Sequence, residues 1–192
     1  MAERGRGSMD SLVIVDCQND FISGTLACEG AEAAVKYLVS FMREHEVRAA
    51  YTADWHSAKN GSFRENGGVW PPHCVAGTAG ADISSVFYEE APEGEKPVAA
   101  NIFRKGKADD VEEYSAFRGE TDSGVKLADA VTAHVWVGGI ASEYCVRETV
   151  LDLLAAGHTV TLLVKGLAWV SAEDHRKNLA DLKERGVTLF EE

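Results

Sequence analysis

A three-layer α/β fold built on a six-stranded parallel sheet is what this sequence predicts, and two features predict it. Short β-branched runs alternate with amphipathic stretches along the chain, and the first run, Leu-Val-Ile-Val at 12–15, is apolar at every position. Such a run suits a strand covered on both faces, as in parallel sheets. Parallel neighbours need helical crossovers, so each intervening stretch has a face to bury.

The elements follow in order. Residues 1–9 carry Arg4, Gly5, Arg6 and Gly7 with little to bury, and read as a flexible leader before one domain at 10–192. The first strand ends at Asp16. Ala34, Tyr37, Leu38, Phe41 and Met42 then recur at helical spacing within 31–46, and a second strand at 47–53 runs up to Asp54. From 54 to 80 no period persists, and Asn60-Gly61, Gly67-Gly68 and Pro71-Pro72 mark a long loop, a feature that usually carries function. A strand over 98–103 precedes Arg104-Lys105-Gly106, and a polar loop continues to 122. A short helix at 125–130 and a strand at 134–140 come next. The helix at 144–156 presents Val146, Thr149, Val150, Leu153 and Leu154 as one stripe, with Gly157 as its C-cap. A strand at 159–164, a helix at 172–185 and a strand at 187–190 close the fold.

A chain of 192 residues can bury roughly 70% of its unfolded surface, which suffices for one core. A formal net charge of -12 argues against nucleic-acid and anionic-membrane binding, both of which need a basic face. Cys17, Cys28, Cys74 and Cys145 show no paired spacing, and no signal-peptide pattern precedes them, so a reducing cytoplasm is expected. The longest apolar run, 131–140, falls short of the ~20 residues that span a bilayer. A small molecule is the expected partner, with a homo-oligomer left open.

In open α/β sheets ligands gather beyond the carboxyl ends of the strands, which here makes candidates of Asp16, Asp54, Lys105 and 138–145. Cys145 falls in the first turn of a helix, where free N–H groups lower a thiol's pKa and can hold an oxyanion. Asp16 could accept its proton and Lys105 could steady charge. Each has an ordinary alternative: a core thiol, a loop anchor, a solvated lysine. Asp54-Trp55-His56 with His73 offers a carboxylate and two imidazoles, suited to zinc, iron or manganese, with Glu65, Ser62 or Asn66 available as a fourth ligand. Cys17, Cys28 and Cys74 read as packing residues, and His45, His134, His158 and His175 as remote from these loops.

Val15-Asp16-Cys17-Gln18-Asn19-Asp20-Phe21, Asp54-Trp55-His56, Trp70-Pro71-Pro72-His73-Cys74-Val75-Ala76-Gly77-Thr78, Lys105-Gly106, Tyr114-Ser115-Ala116-Phe117 and Gly139-Ile140-Ala141-Ser142-Glu143-Tyr144-Cys145-Val146 together resemble the nicotinamidase/pyrazinamidase branch of the isochorismatase-like cysteine hydrolases. The resemblance runs in order from about 12 to 190. It implies a three-layer (αβα) Rossmann-like fold and metal-dependent hydrolysis of nicotinamide, and of pyrazinamide, to the acid and ammonia through a cysteine thioester. The family's catalytic Asp, Lys and Cys fall on Asp16, Lys105 and Cys145. Its cis peptide falls at Ile140-Ala141, with the N–H groups of Ala141 and Cys145 as the oxyanion hole. Its metal ligands fall on Asp54, His56 and His73, for one divalent ion, zinc first and iron or manganese as alternatives, with Glu65 favoured over Ser62 as the fourth. Its substrate pocket falls on Phe21, Trp70, Tyr114 and Ile140. Ser142-Glu143 stand where many members carry Thr-Asp. The rival readings are a related hydrolase acting on another small amide, a metallohydrolase with Cys145 incidental, and an inactive metabolite-binding member.

Overall fold

In the computed structural model, which describes residues 9–192, β1 (Asp10–Val15), β2 (Val47–Asp54), β3 (Ile102–Lys105), β4 (His134–Gly139), β5 (Thr159–Leu167) and β6 (Thr188–Phe190) form one sheet. Every pairing is parallel, and the order is β3-β2-β1-β4-β5-β6. The helices are α1 (Asn19–Ile22), α2 (Ala31–Glu44), α3 (Ser85–Glu90), α4 (Leu127–Ala130), α5 (Arg147–Ala155) and α6 (Ala172–Glu184). The leader expected at 1–9 lies, but for Met9, outside the described residues.

The two-residue period of β1 separates two cores. Leu12 and Ile14 pack with Leu38 and Phe41 of α2 and Phe87 of α3. Val13 and Val15 pack on the opposite face with Val150 and Leu153 of α5 and Leu182 of α6. Three layers result. Truncating any one of the buried leucine, isoleucine or phenylalanine side chains to alanine would cost about 2–5 kcal/mol.

Strand order reverses between β1 and β4, and the carboxyl ends of β1 to β4 open into one crevice there. Gly139 allows the two central strands to approach. It has φ +128°, and a Cβ on it would lie 2.1 Å from the Val15 carbonyl oxygen.

Three elements differ from their sequence expectations. The strand expected at 98–103 begins later, because Asn101 Oδ1 accepts the Val98 N–H at 2.7 Å and closes a turn, so pairing with β2 starts at Ile102. The helix expected at 144–156 divides into a π-helical turn, Ser142–Val146, followed by α5. The fifth strand extends to Leu167, where a register shift lets it pair with Gly139.

Candidate active site and metal centre

Asp16 leaves β1 with φ of 47°, a left-handed conformation uncommon for a residue with a Cβ, and is wholly buried. Thr52 Oγ1 on β2 donates to Asp16 Oδ1 at 2.6 Å and accepts the Asp16 N–H at 3.1 Å. Oδ2 lies 3.0 Å from Lys105 Nζ as an ion pair and makes no aligned hydrogen bond. One carboxylate oxygen is therefore fixed by Thr52, and the other is paired with the Lys105 ammonium.

Lys105 ends β3 with its ammonium fully enclosed. Its Nζ pairs with Asp54, donates to the Glu113 carbonyl at 3.2 Å and to Cys145 Sγ at 3.5 Å. Burial works to lower the lysine pKa, but Asp16 and Asp54 reverse this and hold it well above its usual range. A buried ammonium is tolerable only with such partners. Burial raises the Asp16 pKa, with Lys105 in opposition. Burial also pushes the Cys145 thiol well up, again with Lys105 opposing. That direction is opposite to the lowering expected from a helix N-terminus.

Asp54, His56 and His73 bring one oxygen and two nitrogens within 4.8 Å of one another. His56 Nδ1 donates to the Gly106 carbonyl and His73 Nδ1 to the Pro71 carbonyl, each at 2.8 Å. Because a carbonyl only accepts, the neutral form of each ring carries its lone pair on Nε2, and the two Nε2 atoms face Asp54 Oδ2 at 3.5 and 4.0 Å. Imidazoles oriented by a second hydrogen bond beside a carboxylate fit zinc, iron or manganese. Burial works to raise the Asp54 pKa, but Lys105 and His56 hold it well below the usual carboxylate range, so it stays an anionic donor. Gly106 has φ +70°, and a Cβ there would stand 2.5 Å from His56 Cε1, so the residue after Lys105 must be glycine.

A cavity joins the two sets, its wall including Cys145, Ala141, Asp54, His56 and His73. The Ile140–Ala141 peptide bond is cis. Asp16 and Lys105 stand behind Cys145 and do not line the cavity.

The isochorismatase domain family matches residues 10–191. The chain belongs to the isochorismatase family. As a member of these hydrolases it is 33% identical over 193 residues to the nicotinamidase/pyrazinamidase of Mycobacterium tuberculosis, with 94% of this chain and 98% of that protein covered. The crystal structure of Pyrococcus horikoshii pyrazinamidase in complex with zinc has a TM-score of 0.80 at 33% identity, covering 95% of this chain and 99% of the other. The structure of PnC1 from L. infantum in complex with nicotinate has a TM-score of 0.81 at 32% identity, covering 95% of this chain and 92% of the other. Among the described residues no helix is long and apolar enough to cross a membrane.

In this isochorismatase-family cavity Phe21, Trp70 and Tyr114 take part in the wall, and Trp70 Nε1 donates to Tyr114 Oη at 3.2 Å. Ile140 does not. Its side chain points into the α2-side core with Leu12 and Ile14, leaving Ala141 to face the cavity. Glu65 is exposed on the turn Arg64–Asn66 and is not part of the wall, whereas Ser62 is. Ser62 Oγ is buried without a hydrogen-bond partner, so of the two candidates Ser62, on the cavity wall, fits a fourth ligand better than the exposed Glu65.

Three residues escaped the sequence reading. Gln18 Nε2 donates to the Asp54 carbonyl at 2.9 Å while its Oε1 accepts the Asp54 N–H at 2.8 Å, clamping the carboxylate's backbone. Its place two residues after Asp16 in the first motif was the available signal. Thr52 carried none. Tyr144 lines the cavity and packs edge-on against Trp70 at 5.2 Å, and its adjacency to Cys145 was the clue.

Proposed function

We propose that this hydrolase cleaves nicotinamide, with pyrazinamide as a surrogate, to the corresponding carboxylate and ammonia through a thioester on Cys145. The observation that carries the reading is one cavity in which Cys145 Sγ shares a wall with Asp54, His56 and His73. The relatives whose names include nicotinamidase or pyrazinamidase support it.

The steps follow from the side chains. Asp16, one of whose carboxylate oxygens lies within 4.8 Å of Cys145 Sγ, takes the thiol proton as the sulfur attacks the carboxamide carbon. The raised pKa of Asp16 suits this, since a weakly acidic carboxyl is a better base for a weakly acidic thiol. Lys105 keeps charge balanced among Asp16, Asp54 and the forming thiolate. Negative charge developing on the carbonyl oxygen is received by the N–H groups of Ala141 and Cys145. The C–N bond breaks as Asp16 returns its proton to the nitrogen, and ammonia leaves. Water then adds to the thioester, Asp16 accepting its proton, and the acid departs as the Cys145 thiol is restored.

A divalent ion held by Asp54, His56, His73 and Ser62 supplies, when bound, a Lewis-acid position for a heteroatom of the substrate ring. Phe21, Trp70 and Tyr114 enclose an aromatic ring, which turns binding into proximity at Cys145.

Ammonia release from nicotinamide, pyrazinamide and benzamide, with Cys145→Ala as control, tests the reading. Turnover of the first two that vanishes in Cys145→Ala supports it. Turnover surviving in Cys145→Ala would assign the chemistry to a metal-activated water instead, and inertness toward all three would remove the substrate class.

A further inference from the structure

The nucleophile sits in a π-helical turn, Ser142–Val146, rather than in an α-helix. Such turns are rare and often occur at functional sites. This one is held from outside by the last helix. Ser142 is fully buried, and its Oγ lies 2.7 Å from His175 Nδ1 of α6. Asn178, one turn further along α6, donates from Nδ2 to the Ser142 carbonyl at 2.8 Å and to Ser142 Oγ at 3.3 Å. Asn178 Oδ1 in turn accepts from Arg147 Nη1, at the start of α5, at 2.8 Å. The ring of His175 lies flat on Trp169, with centroids 4.4 Å apart. His175 and Asn178 are 7% and 4% exposed, an unusual burial for polar residues on an outer helix.

Three of these contacts converge on Ser142, the residue three before Cys145 and one after Ala141, the two positions whose N–H groups the mechanism uses, and the Arg147 and Trp169 contacts hold Asn178 and His175 in place. We propose that His175 and Asn178 are positioning residues that act through Ser142 to hold the nucleophile turn in register with Asp16 and Lys105. The proposal rests on the reading of Cys145 as nucleophile but is independent of which carboxamide is the substrate. Its physical basis is that a turn carrying both the nucleophile and the oxyanion donors must be fixed to a fraction of an ångström, and displacement by about 1 Å can cost a hundredfold in rate.

The test uses His175→Phe, which keeps a ring over Trp169 and removes the Ser142 contact, together with Ser142→Ala, Ser142→Thr and the double variant His175→Phe/Ser142→Ala. Three quantities are read: kcat and KM for nicotinamide, the rate at which iodoacetamide alkylates Cys145 in the free enzyme, and the thermal midpoint. Expected are a fall of tenfold or more in kcat with KM within twofold for each of the first two variants, and slower alkylation. The double variant should be no slower than either single one, and Ser142→Thr should recover most of the rate by keeping a hydroxyl. Unchanged kcat and alkylation in variants whose thermal midpoint has dropped would make the cluster purely structural and overturn the proposal. So would a change in KM alone. If the wild-type enzyme turns over no carboxamide, the functional reading fails while the alkylation rates still decide this one; should His175→Phe not fold, Ser142→Ala carries the same comparison.

Discussion

Lys105 Nζ lies 3.0 Å from Asp16 Oδ2, and the same ammonium pairs with Asp54 and reaches Cys145 Sγ at 3.5 Å. One buried cation therefore serves the carboxylate of the candidate triad and a carboxylate of the candidate metal centre. The two halves of the site are electrostatically one object.

Replacing Lys105 with methionine, which preserves length, should cost about 3–5 kcal/mol of stability, since it strands two buried carboxylates. Urea denaturation reads this directly. Adding Asp16→Asn should restore part of the loss, because one of the stranded charges is gone. Strictly additive losses would show that Lys105 and Asp16 do not depend on each other.

Thr52 supports Asp16 from β2 through a 2.6 Å hydrogen bond to Oδ1, which favours the ionised form. Thr52→Val keeps shape and removes the donor, and should cost about 1–3 kcal/mol. It should also raise the Asp16 pKa further above its ordinary value. Asp16 must be ionised to take the thiol proton, so the acid limb of kcat/KM should move to higher pH. An unmoved limb would separate Thr52 from the base.

Much of this was legible in sequence because the signals were local. The all-apolar run of β1, the helical spacing in α2 and the strand-terminal Asp16, Asp54 and Lys105 each announce themselves within a few residues. The resemblance places Ile140 in the pocket, but the chain turns at the end of β4 and sends that side chain into the core instead. Glu65 and Ser62 lie in a loop with no periodicity, so nothing in the sequence distinguished which one faces inward. His175 was read as remote, yet it touches Ser142 across 33 residues of chain, a contact only the packing of α6 creates.

Ser62→Ala should weaken metal retention more than Glu65→Ala does. Ser62 Oγ is buried in the cavity wall without a partner, while Glu65 is exposed and outside it. Competition with a chromophoric chelator measures the ranking, and a greater loss in Glu65→Ala would mean that the loop rearranges around the ion.

Iodoacetamide should label Cys145 before the other thiols. Burial raises all four, with Cys28 pushed up to about 12, yet Cys145 is the one whose sulfur also accepts from Lys105 and lies within 4.8 Å of an Asp16 carboxylate oxygen. Labelling should therefore slow in Asp16→Asn. Peptide mapping that finds Cys28, which also borders the cavity, modified first would show that access rather than activation governs reactivity.

His175 gives a stability prediction whose sign is fixed by its surroundings. Burial lowers its pKa; the charge of Glu143 opposes this and that of Arg176 reinforces it. The unfolded chain binds a proton at this position below about pH 6.5, while the folded one resists until lower pH. Between those two values the unfolded state holds more protons, so stability must fall as pH falls. The contribution is fully present above about pH 6.5 and is lost on acidification through the folded pKa. His175→Phe cannot titrate and should show a shallower decline of the urea midpoint between pH 7.5 and 5.5 than wild type, while His56 and His73 contribute equally to both proteins. Parallel declines would mean that the ring over Trp169 is protonated as readily in the fold as in water.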